Sequence, residues 1–216
     1  GSGMLPAEPG YLAMLREATQ QQGTLLIFDE VISLRVAPGG AQEYYGITPD
    51  MTAMGKIIGG GLPVGAFGGR SDIMELYDPT RGPKVPHAGT FQGNPMTMEA
   101  GIATMERLTP EVYARLAALT DRLSQGISSV CAEFEVPVQA TGLASLYGIH
   151  FTDQPVRTYR DVATSDKAMR QRVFLGLMNE GIFIAPQLIG APSTPMGDEE
   201  VDAHVEALRK VLARKR

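Results

Sequence analysis

The order of apolar and polar positions predicts alternating helices and strands in the first part of the chain. Apolar residues recur at helical spacing over residues 9–22, and Gly23 follows as a left-handed cap. Residues 25–28 are a continuous apolar run, which is typical of a buried strand in a parallel sheet. Shorter strands are predicted at residues 51–54 and 65–69, and Ser71 is expected to cap a helix that ends near Leu76.

The later part of the chain predicts a different mixture of elements. Helices are expected over residues 94–107, 109–133 and 165–179 and from Asp198 onward, with Asn94, Ser165 or Asp166, and Asp198 as caps. Strands are expected at 136–140, 143–151 and 181–184. Because no phosphate motif accompanies them, these elements indicate an α+β domain. We place the boundary near Leu108, which divides the chain into residues 1–108 and 109–216.

Two polar residues stand where strands are predicted to end. Asp29 follows the apolar run, at the carboxyl edge where open α/β sheets bind ligands. Lys56 lies between the next strand and three glycines, a place where an amine can be partly desolvated and act as a Schiff-base nucleophile. This pair suits pyridoxal phosphate, with Asp29 on the pyridinium nitrogen and Lys56 forming the imine.

Each of these residues has a competing interpretation. An aspartate at a strand end is often a helix cap or a turn residue. A Gly-Lys pair before glycines could belong to a phosphate loop, but that pattern requires an earlier glycine and a Ser or Thr after the lysine. Asp50 and Ile57 occupy those places, so the phosphate-loop interpretation fails.

Three motifs in this order resemble the class III pyridoxal-phosphate aminotransferases. They are Asp29-Glu30-Val31, the run TPDMTAMGKIIGGGLPVGA over residues 48–66, and GTFQGNP over residues 89–95. The chain is similar in particular to glutamate-1-semialdehyde aminomutases and β-phenylalanine-type aminotransferases. The resemblance implies an α/β protein of fold type I. Residues 1–108 would be the second part of the cofactor-binding large domain, and residues 109–216 the α+β small domain.

The resemblance also implies roles for four residues. Lys56 would form the Schiff base and Asp29 would hold the ring nitrogen of pyridoxal 5'-phosphate. Val31 would pack on one face of the cofactor ring, with plain core packing as the alternative. Thr90 would reach across a homodimer to the cofactor phosphate of the neighbouring subunit, with an ordinary turn threonine as the alternative.

Two further residues are candidates for substrate binding. Arg35 lies in the segment Ser33-Leu34-Arg35-Val36, where the family usually has Thr-Gly-Phe-Arg and one residue more. It would pair with a substrate carboxylate or form a structural ion pair. Gln187 follows the predicted strand at 181–184, at a place where β-phenylalanine-type relatives have an arginine. It is either a substrate contact without charge or a surface-loop residue.

Composition excludes several other classes of protein. The 216 residues are 44% hydrophobic and 20% charged, which is ordinary for a globular protein. The net charge of −5 and the lack of a basic stripe argue against nucleic acid. One cysteine and three scattered histidines argue against a disulfide or a metal site. With no apolar run of 18 residues and no signal-peptide pattern, we expect a cytoplasmic protein without a membrane span.

Family chains are about twice this length, so the resemblance maps onto their C-terminal half. The missing N-terminal half would carry the phosphate-cradling Gly-Ser/Thr loop, an aromatic residue that stacks on the cofactor, and much of the substrate pocket. We predict an aminotransferase that moves an amino group between an amino acid, β-amino acids included, and a 2-oxo acid. A glutamate-1-semialdehyde-type aminomutase and a non-catalytic pyridoxal-phosphate-fold fragment are the alternatives. The chain alone is not expected to turn over.

Overall fold

The computed structural model describes residues 3–82 and 84–214, and these form two compact units. The first unit is Pro9–Pro110. The second unit consists of residues 111–214 together with residues 3–8. The division from sequence assigned residues 1–8 to the first unit, whereas the described part of that segment belongs to the second unit.

The first unit contains a small mixed sheet and four helices. Strands β1 (Ile27–Asp29), β2 (Met51–Gly55) and β3 (Gly65–Gly69) lie in that order; β1 and β2 are parallel, and β2 and β3 antiparallel. The helices are α1 (Tyr11–Gln21), α2 (Gly40–Tyr45), α3 (Ser71–Met74) and α4 (Pro95–Met105). Short 3-10 turns cover Ser33–Val36, Lys56–Gly59, Glu75–Tyr77 and Pro79–Arg81.

The apolar run that ends in β1 is not buried in this chain. Leu25 is 46% exposed and Ile27 is 57% exposed. The prediction of a buried strand is wrong here because β1 is an edge strand, with β2 as its one neighbour among the described strands. An edge strand of this kind leaves backbone groups available for pairing with another strand.

An aspartate with little solvent exposure ties helix α1 and strand β3 to the sheet. Asp50 accepts a hydrogen bond from the Leu26 N–H at 2.8 Å and forms ion pairs with Arg16 and Arg70, each at 2.9 Å. The Leu26 N–H first, and then the two guanidinium groups, hold the pKa of Asp50 well below its usual range. These contacts of Asp50 fix the start of β2, the strand that leads to Lys56.

The second unit contains an antiparallel sheet and four helices. Strands β4 (Gln139–Leu143), β5 (Leu146–His150) and β6 (Ile189–Gly190) lie in that order. The helices are α5 (Pro110–Glu133), α6 (Tyr159–Thr164), α7 (Lys167–Asn179) and α8 (Asp198–Ala213).

One apolar core joins the helices and the sheet of the second unit. Its fully buried members come from α5, α7, α8 and the turn before β6: Ile127, Val130, Cys131, Val173, Leu177, Leu188 and Leu208. Burying a side chain such as Leu177 contributes about 1.5–3 kcal/mol. The second unit therefore has the core that an independent domain needs.

Helix caps were predicted with mixed success. Asn94 caps α4 and Asp166 caps α7, each accepting two backbone N–H bonds, as predicted. Ser71 and Asp198 are the first residues of their helices instead, since the cap positions fall on Arg70 and Gly197. Helix α6 was not predicted, although its capping box of Thr158 and Asp161 is a recognisable signal.

The strands of the second unit are displaced from their predicted places. Leu143 pairs with Leu146, so the β4–β5 turn falls inside the stretch that was predicted to be one strand. The strand predicted at 181–184 is absent, because the Ile182 N–H donates to Leu177 O at 2.9 Å and completes the end of α7. Pairing with β5 begins only at Ile189.

Two further searches of residues 3–82 and 84–214 gave negative results. None of the helices there is both long enough and apolar enough to cross a membrane. No group of three His, Cys, Asp or Glu side chains in these segments is placed to hold a metal ion.

Candidate active site

The parallel pair β1 and β2 brings Asp29 and Lys56 to the same edge of the sheet. Asp29 is the last residue of β1 and pairs with Ala53, three residues before Lys56. Lys56 directly follows β2 and opens the turn Lys56–Gly59. Both side chains are exposed. A carboxylate and an amine thus lie on neighbouring strands at the carboxyl edge, where α/β sheets bind ligands.

The Asp29 carboxylate is held by the backbone on one side only. Its Oδ1 accepts a hydrogen bond from the Val31 N–H at 3.1 Å, which is the turn interaction considered from the sequence. Within the described parts of the chain, Oδ2 has no hydrogen-bond partner. One oxygen therefore orients the carboxylate, and the other remains available to a ligand.

Lys56 has an unusual backbone conformation. Its φ of +52° lies in the left-handed region, which costs a residue other than glycine about 1–2 kcal/mol. Its amine makes no hydrogen bond or ion pair with the described residues. The partial desolvation expected from the sequence is not provided by this chain, because the first unit leaves the Lys56 side chain exposed. Strained residues of this kind cluster at active sites.

Val31 and Gly55 form the surface next to Lys56. A β-carbon at position 55 would lie 3.5 Å from Val31 Cγ1 and 3.3 Å from Val64 O. The Val31 methyl groups therefore lie against the bare backbone of Gly55. Val31 is half-buried and keeps part of its surface open at the edge where Asp29 and Lys56 lie.

A carboxylate that the sequence did not single out fixes the segment after β1. Glu30 is fully buried and accepts hydrogen bonds from the Gln42 N–H at 2.8 Å, the Ala41 N–H at 3.0 Å and the Ser33 hydroxyl. Gly40 has a φ of +76°, and a β-carbon at this position would lie only 2.9 Å from the Glu30 carboxylate. The sequence signal was a second carboxylate after Asp29, followed ten residues later by glycine.

The glycine-rich turn after Lys56 packs directly on α4. A β-carbon at Gly60 would lie 2.1 Å from Ala100 O, and one at Gly101 would lie 2.3 Å from Ile58 O. These glycines therefore allow the backbone of the loop to lie directly against the backbone of α4.

Thr90 lies in the turn that leads into α4. The turn is closed by hydrogen bonds from Gln92 N–H to Gly89 O at 3.1 Å and from Asn94 N–H to Phe91 O at 3.2 Å. Thr90 is exposed, and among the described residues no hydrogen bond joins it to Asp29 or Lys56. Its predicted contact with a neighbouring subunit concerns a chain that this structure does not contain, so it stays a prediction.

The two candidate substrate residues lie in different units. Arg35 is half-buried in the turn Ser33–Val36 of the first unit and interacts with other residues of the chain. Gln187 is exposed in a turn of the second unit, which the Leu188 N–H closes by donating to Ala185 O at 2.8 Å. Leu188 itself is fully buried, so the turn that carries Gln187 has a fixed anchor.

Comparison with known proteins gives the family of the chain. Residues 1–212 match the family model for aminotransferase class-III. The chain is 43% identical over 215 residues to glutamate-1-semialdehyde 2,1-aminomutase 2 of Anoxybacillus flavithermus, covering 98% of this chain and 49% of that protein. It is 43% identical over 208 residues to beta-phenylalanine transaminase of Variovorax paradoxus, covering 96% and 48%. The chain therefore belongs to the class-III aminotransferases.

A solved structure supports the same assignment. An omega-transaminase from Sphaerobacter thermophilus is 51% identical and superimposes with a TM-score of 0.94, covering 98% of this chain and 49% of that one. The resemblance seen in the three motifs and the fold type I class are both confirmed. The chain spans about half the length of the relatives it matches. The roles of individual site residues stay predictions.

Proposed function

We propose that this chain is the C-terminal half of a pyridoxal-phosphate-dependent aminotransferase that moves an amino group between an amino acid and a 2-oxo acid. The observation that supports this most strongly is the placement of Asp29 and Lys56 at the same edge of the sheet. A carboxylate and a strained lysine stand at the carboxyl ends of adjacent parallel strands. Class-III family membership supplies the reaction type.

The residues at this edge fit pyridoxal 5'-phosphate. Its aldehyde requires an amine, and its ring nitrogen requires a carboxylate. Lys56 and Asp29 supply these groups, and in the described chain neither is engaged in an ion pair. Val31 offers a small apolar surface beside the bare backbone of Gly55, against which a flat ring can pack. When bound, the cofactor draws the electron pair of the reacting carbon into its ring.

Each of these residues has a definite task. Asp29 would keep a proton on the ring nitrogen through Oδ2, while the Val31 N–H holds Oδ1 in place. Lys56 would hold the cofactor at rest and would then, as a free amine, carry the proton from one carbon to the other at its Nζ. An amine in this role must swing between two positions, and the exposed Lys56 side chain has the freedom to do so.

The proposal includes a homodimer and an N-terminal half. Thr90 would donate its hydroxyl hydrogen bond to the cofactor phosphate of the neighbouring subunit, and its exposed position in a well-fixed turn supports that role. The missing half would bind the rest of the cofactor and cover the exposed β1 edge. The coverage of only about half of each relative supports its existence.

The substrate assignment favours β-amino acids as donors. The beta-phenylalanine transaminase and omega-transaminase relatives support this choice. An aminomutase is the second candidate, because glutamate-1-semialdehyde aminomutase relatives reach the same identity. Arg35 would pair with the donor carboxylate, and Gln187 would contact the acceptor without a charge. Replacing Gln187 by arginine should then improve 2-oxoglutarate binding more than pyruvate binding.

The test uses the complete protein loaded with pyridoxal phosphate. Lys56→Ala should abolish covalent attachment of the cofactor and nearly all transamination, because the nucleophile and the proton carrier are the same group. Asp29→Asn should keep the cofactor but lose activity. Lys84→Ala, at another exposed lysine of the first unit, is the matched control and should leave turnover unchanged. Normal β-phenylalanine transamination by the Lys56→Ala protein would contradict the proposal.

A further inference from the structure

The backbone of the turn Lys56–Gly59 is in direct contact with the backbone of helix α4. Gly101 is buried in α4, and the Ile58 carbonyl lies over it, 2.3 Å from where a β-carbon would stand. In the reverse direction, the Ala100 carbonyl lies over Gly60, 2.1 Å from where a β-carbon would stand. The nearest atoms are backbone atoms and cannot rotate away. Alanine at either position would therefore displace the turn from the helix.

The turn Lys56–Gly59 ends in a long hydrogen bond, so a contact from outside helps to hold it. Its closing bond from the Gly60 N–H to Ile57 O is 3.4 Å long, beyond the usual range for a backbone hydrogen bond. Lys56 at its start is in the left-handed region. A strained residue keeps such a conformation only when its surroundings determine it strongly. The contact with α4 is a rigid surrounding of this kind.

We infer that Gly101 and Gly60 are positioning residues for Lys56. By letting the turn Lys56–Gly59 lie directly on the α4 backbone, they hold Lys56 in its left-handed conformation and fix the direction of its side chain. The inference rests on the proposed function of Lys56. Helix α4 is also capped by Asn94, directly after the turn that carries Thr90, so one rigid helix supports both candidate cofactor residues.

The experiment is Gly101→Ala in the complete, cofactor-loaded protein. This position has an ordinary helical φ, so the substitution tests the close contact alone. We expect kcat to fall about 10- to 100-fold, because a displacement of about 1 Å has effects of this size, while KM for the amino donor changes little. The pH midpoint of the absorbance of the bound cofactor should also shift, since the Lys56 amine that is attached to it has moved.

Two glycine variants serve as controls. Gly68→Ala in β3 has open space around the added methyl group and lies in the same unit. Gly126→Ala in α5 is a helical glycine that packs on the Val205 side chain in the second unit. Both should retain the wild-type kcat and the wild-type spectral midpoint. A loss of activity caused merely by lower stability would appear in Gly126→Ala as well, and that result would overturn the inference.

A milder variant covers the case in which Gly101→Ala does not fold. Thr104 Oγ1 would lie 2.8 Å from a β-carbon at Gly60, so Thr104→Ala opens a gap beside the turn without a clash. It should reduce kcat roughly two- to fivefold and shift the spectral midpoint in part. Wild-type values in the variants that fold would overturn the inference.

Lys56→Ala separates this inference from the proposed function. If borohydride still links the cofactor to the Lys56→Ala protein, then Lys56 is not the attachment residue and the proposed function fails. If attachment is lost in Lys56→Ala but Gly101→Ala behaves as wild type, the proposed function stands and only the positioning role of the glycines is wrong.

Discussion

The two units of this chain differ in how they are held together. The second unit contains twenty buried apolar side chains among its described residues, whereas the described part of the first unit contains two, Leu34 and Val36. The first unit instead leaves large apolar residues exposed, among them Ile27, Phe91 and Met96. It relies on polar contacts such as the ion pairs of Asp50 and the hydrogen bonds of the buried Glu30. The unit that carries Lys56 and Asp29 therefore has the smaller core of its own.

This difference fits a chain that spans half the length of its relatives. Burial of apolar area is the main source of folding free energy, and a unit with two buried apolar residues gains little of it. We expect the missing half to cover exposed apolar residues of β1 and α4. We therefore expect the second unit to be stable alone and the first to depend on the complete protein.

The largest expected effect is the loss of a core leucine in the second unit. Leu177 is fully buried, so Leu177→Ala should lower the free energy of unfolding by about 2–5 kcal/mol. Urea unfolding of the 216-residue chain, followed by circular dichroism, measures this change. A loss below about 1 kcal/mol would mean that the second unit is not a well-packed core.

Ile27→Ala is the matched variant in the first unit. Ile27 is mostly exposed in this chain, so its loss should change the stability of the chain by less than about 0.5 kcal/mol. In the complete protein the same change should cost about 2 kcal/mol or more, because the missing half would bury the side chain. Equal small effects in both proteins would show that β1 remains exposed.

Acid should destabilise the second unit through His204. This side chain is buried and Nε2 has no hydrogen-bond partner among the described residues, so burial lowers its pKa from 6.5 to about 4. The unfolded chain binds a proton near pH 6.5 and the folded chain only near pH 4. Stability is therefore lost as the pH falls from about 6.5 to about 4, by roughly 3 kcal/mol in total.

His204→Leu tests this prediction with the same unfolding measurement. The variant has no proton to bind at this position, so its stability should fall less between pH 6.5 and pH 4. If wild type and variant lose the same stability between pH 6.5 and pH 4, the effect comes from other groups. His150 is one such group, since burial also lowers its pKa.

The accuracy of the sequence-based predictions differs between the two units for the same physical reason. The motifs around Asp29 and Lys56 predicted the parallel pair correctly, because strand periodicity and glycine placement are local signals. The burial of residues 25–28 was predicted wrongly, since β1 is an edge strand of the described sheet and local periodicity does not show a strand's place in a sheet. Glu30 was missed because its donors at Ala41 and Gln42 are brought to it by a turn that periodicity does not show.

Errors in the second unit came from long-range pairing. The strand predicted at 181–184 has the right composition, but Ile182 is used to end α7. Only the register with β5 shows that pairing starts at Ile189, which pairs with Gly148, 41 residues earlier. A register over such a distance is not visible in local patterns. The caps at Asn94 and Asp166 were found because capping is a property of four neighbouring residues.

Removal of these two helix caps compares the two units through smaller changes in stability. Asn94 accepts from the N–H groups of Met96 and Thr97, and Asp166 from those of Ala168 and Met169, so the two caps make the same pair of backbone hydrogen bonds. Asp166→Ala should lower the stability of the cooperatively folded second unit by about 1 kcal/mol. Asn94→Ala should instead increase hydrogen exchange within α4 alone. If both variants lower the free energy of unfolding of the whole chain, the two units unfold together.

The last comparison of the two units uses a buried thiol that should hardly react in the native chain. Cys131 is fully buried, and burial raises the pKa of its thiol to about 11, so the native chain at pH 8 holds almost no accessible thiolate. Maleimide labelling of Cys131 should then proceed only when the second unit opens. Leu177→Ala should speed labelling at least about thirtyfold, the factor that corresponds to 2 kcal/mol, provided that opening and closing are fast relative to labelling. Ile27→Ala should leave the labelling rate unchanged, because the first unit can loosen without opening the core around Cys131. Equal acceleration by both variants would mean that the two units share one folding transition.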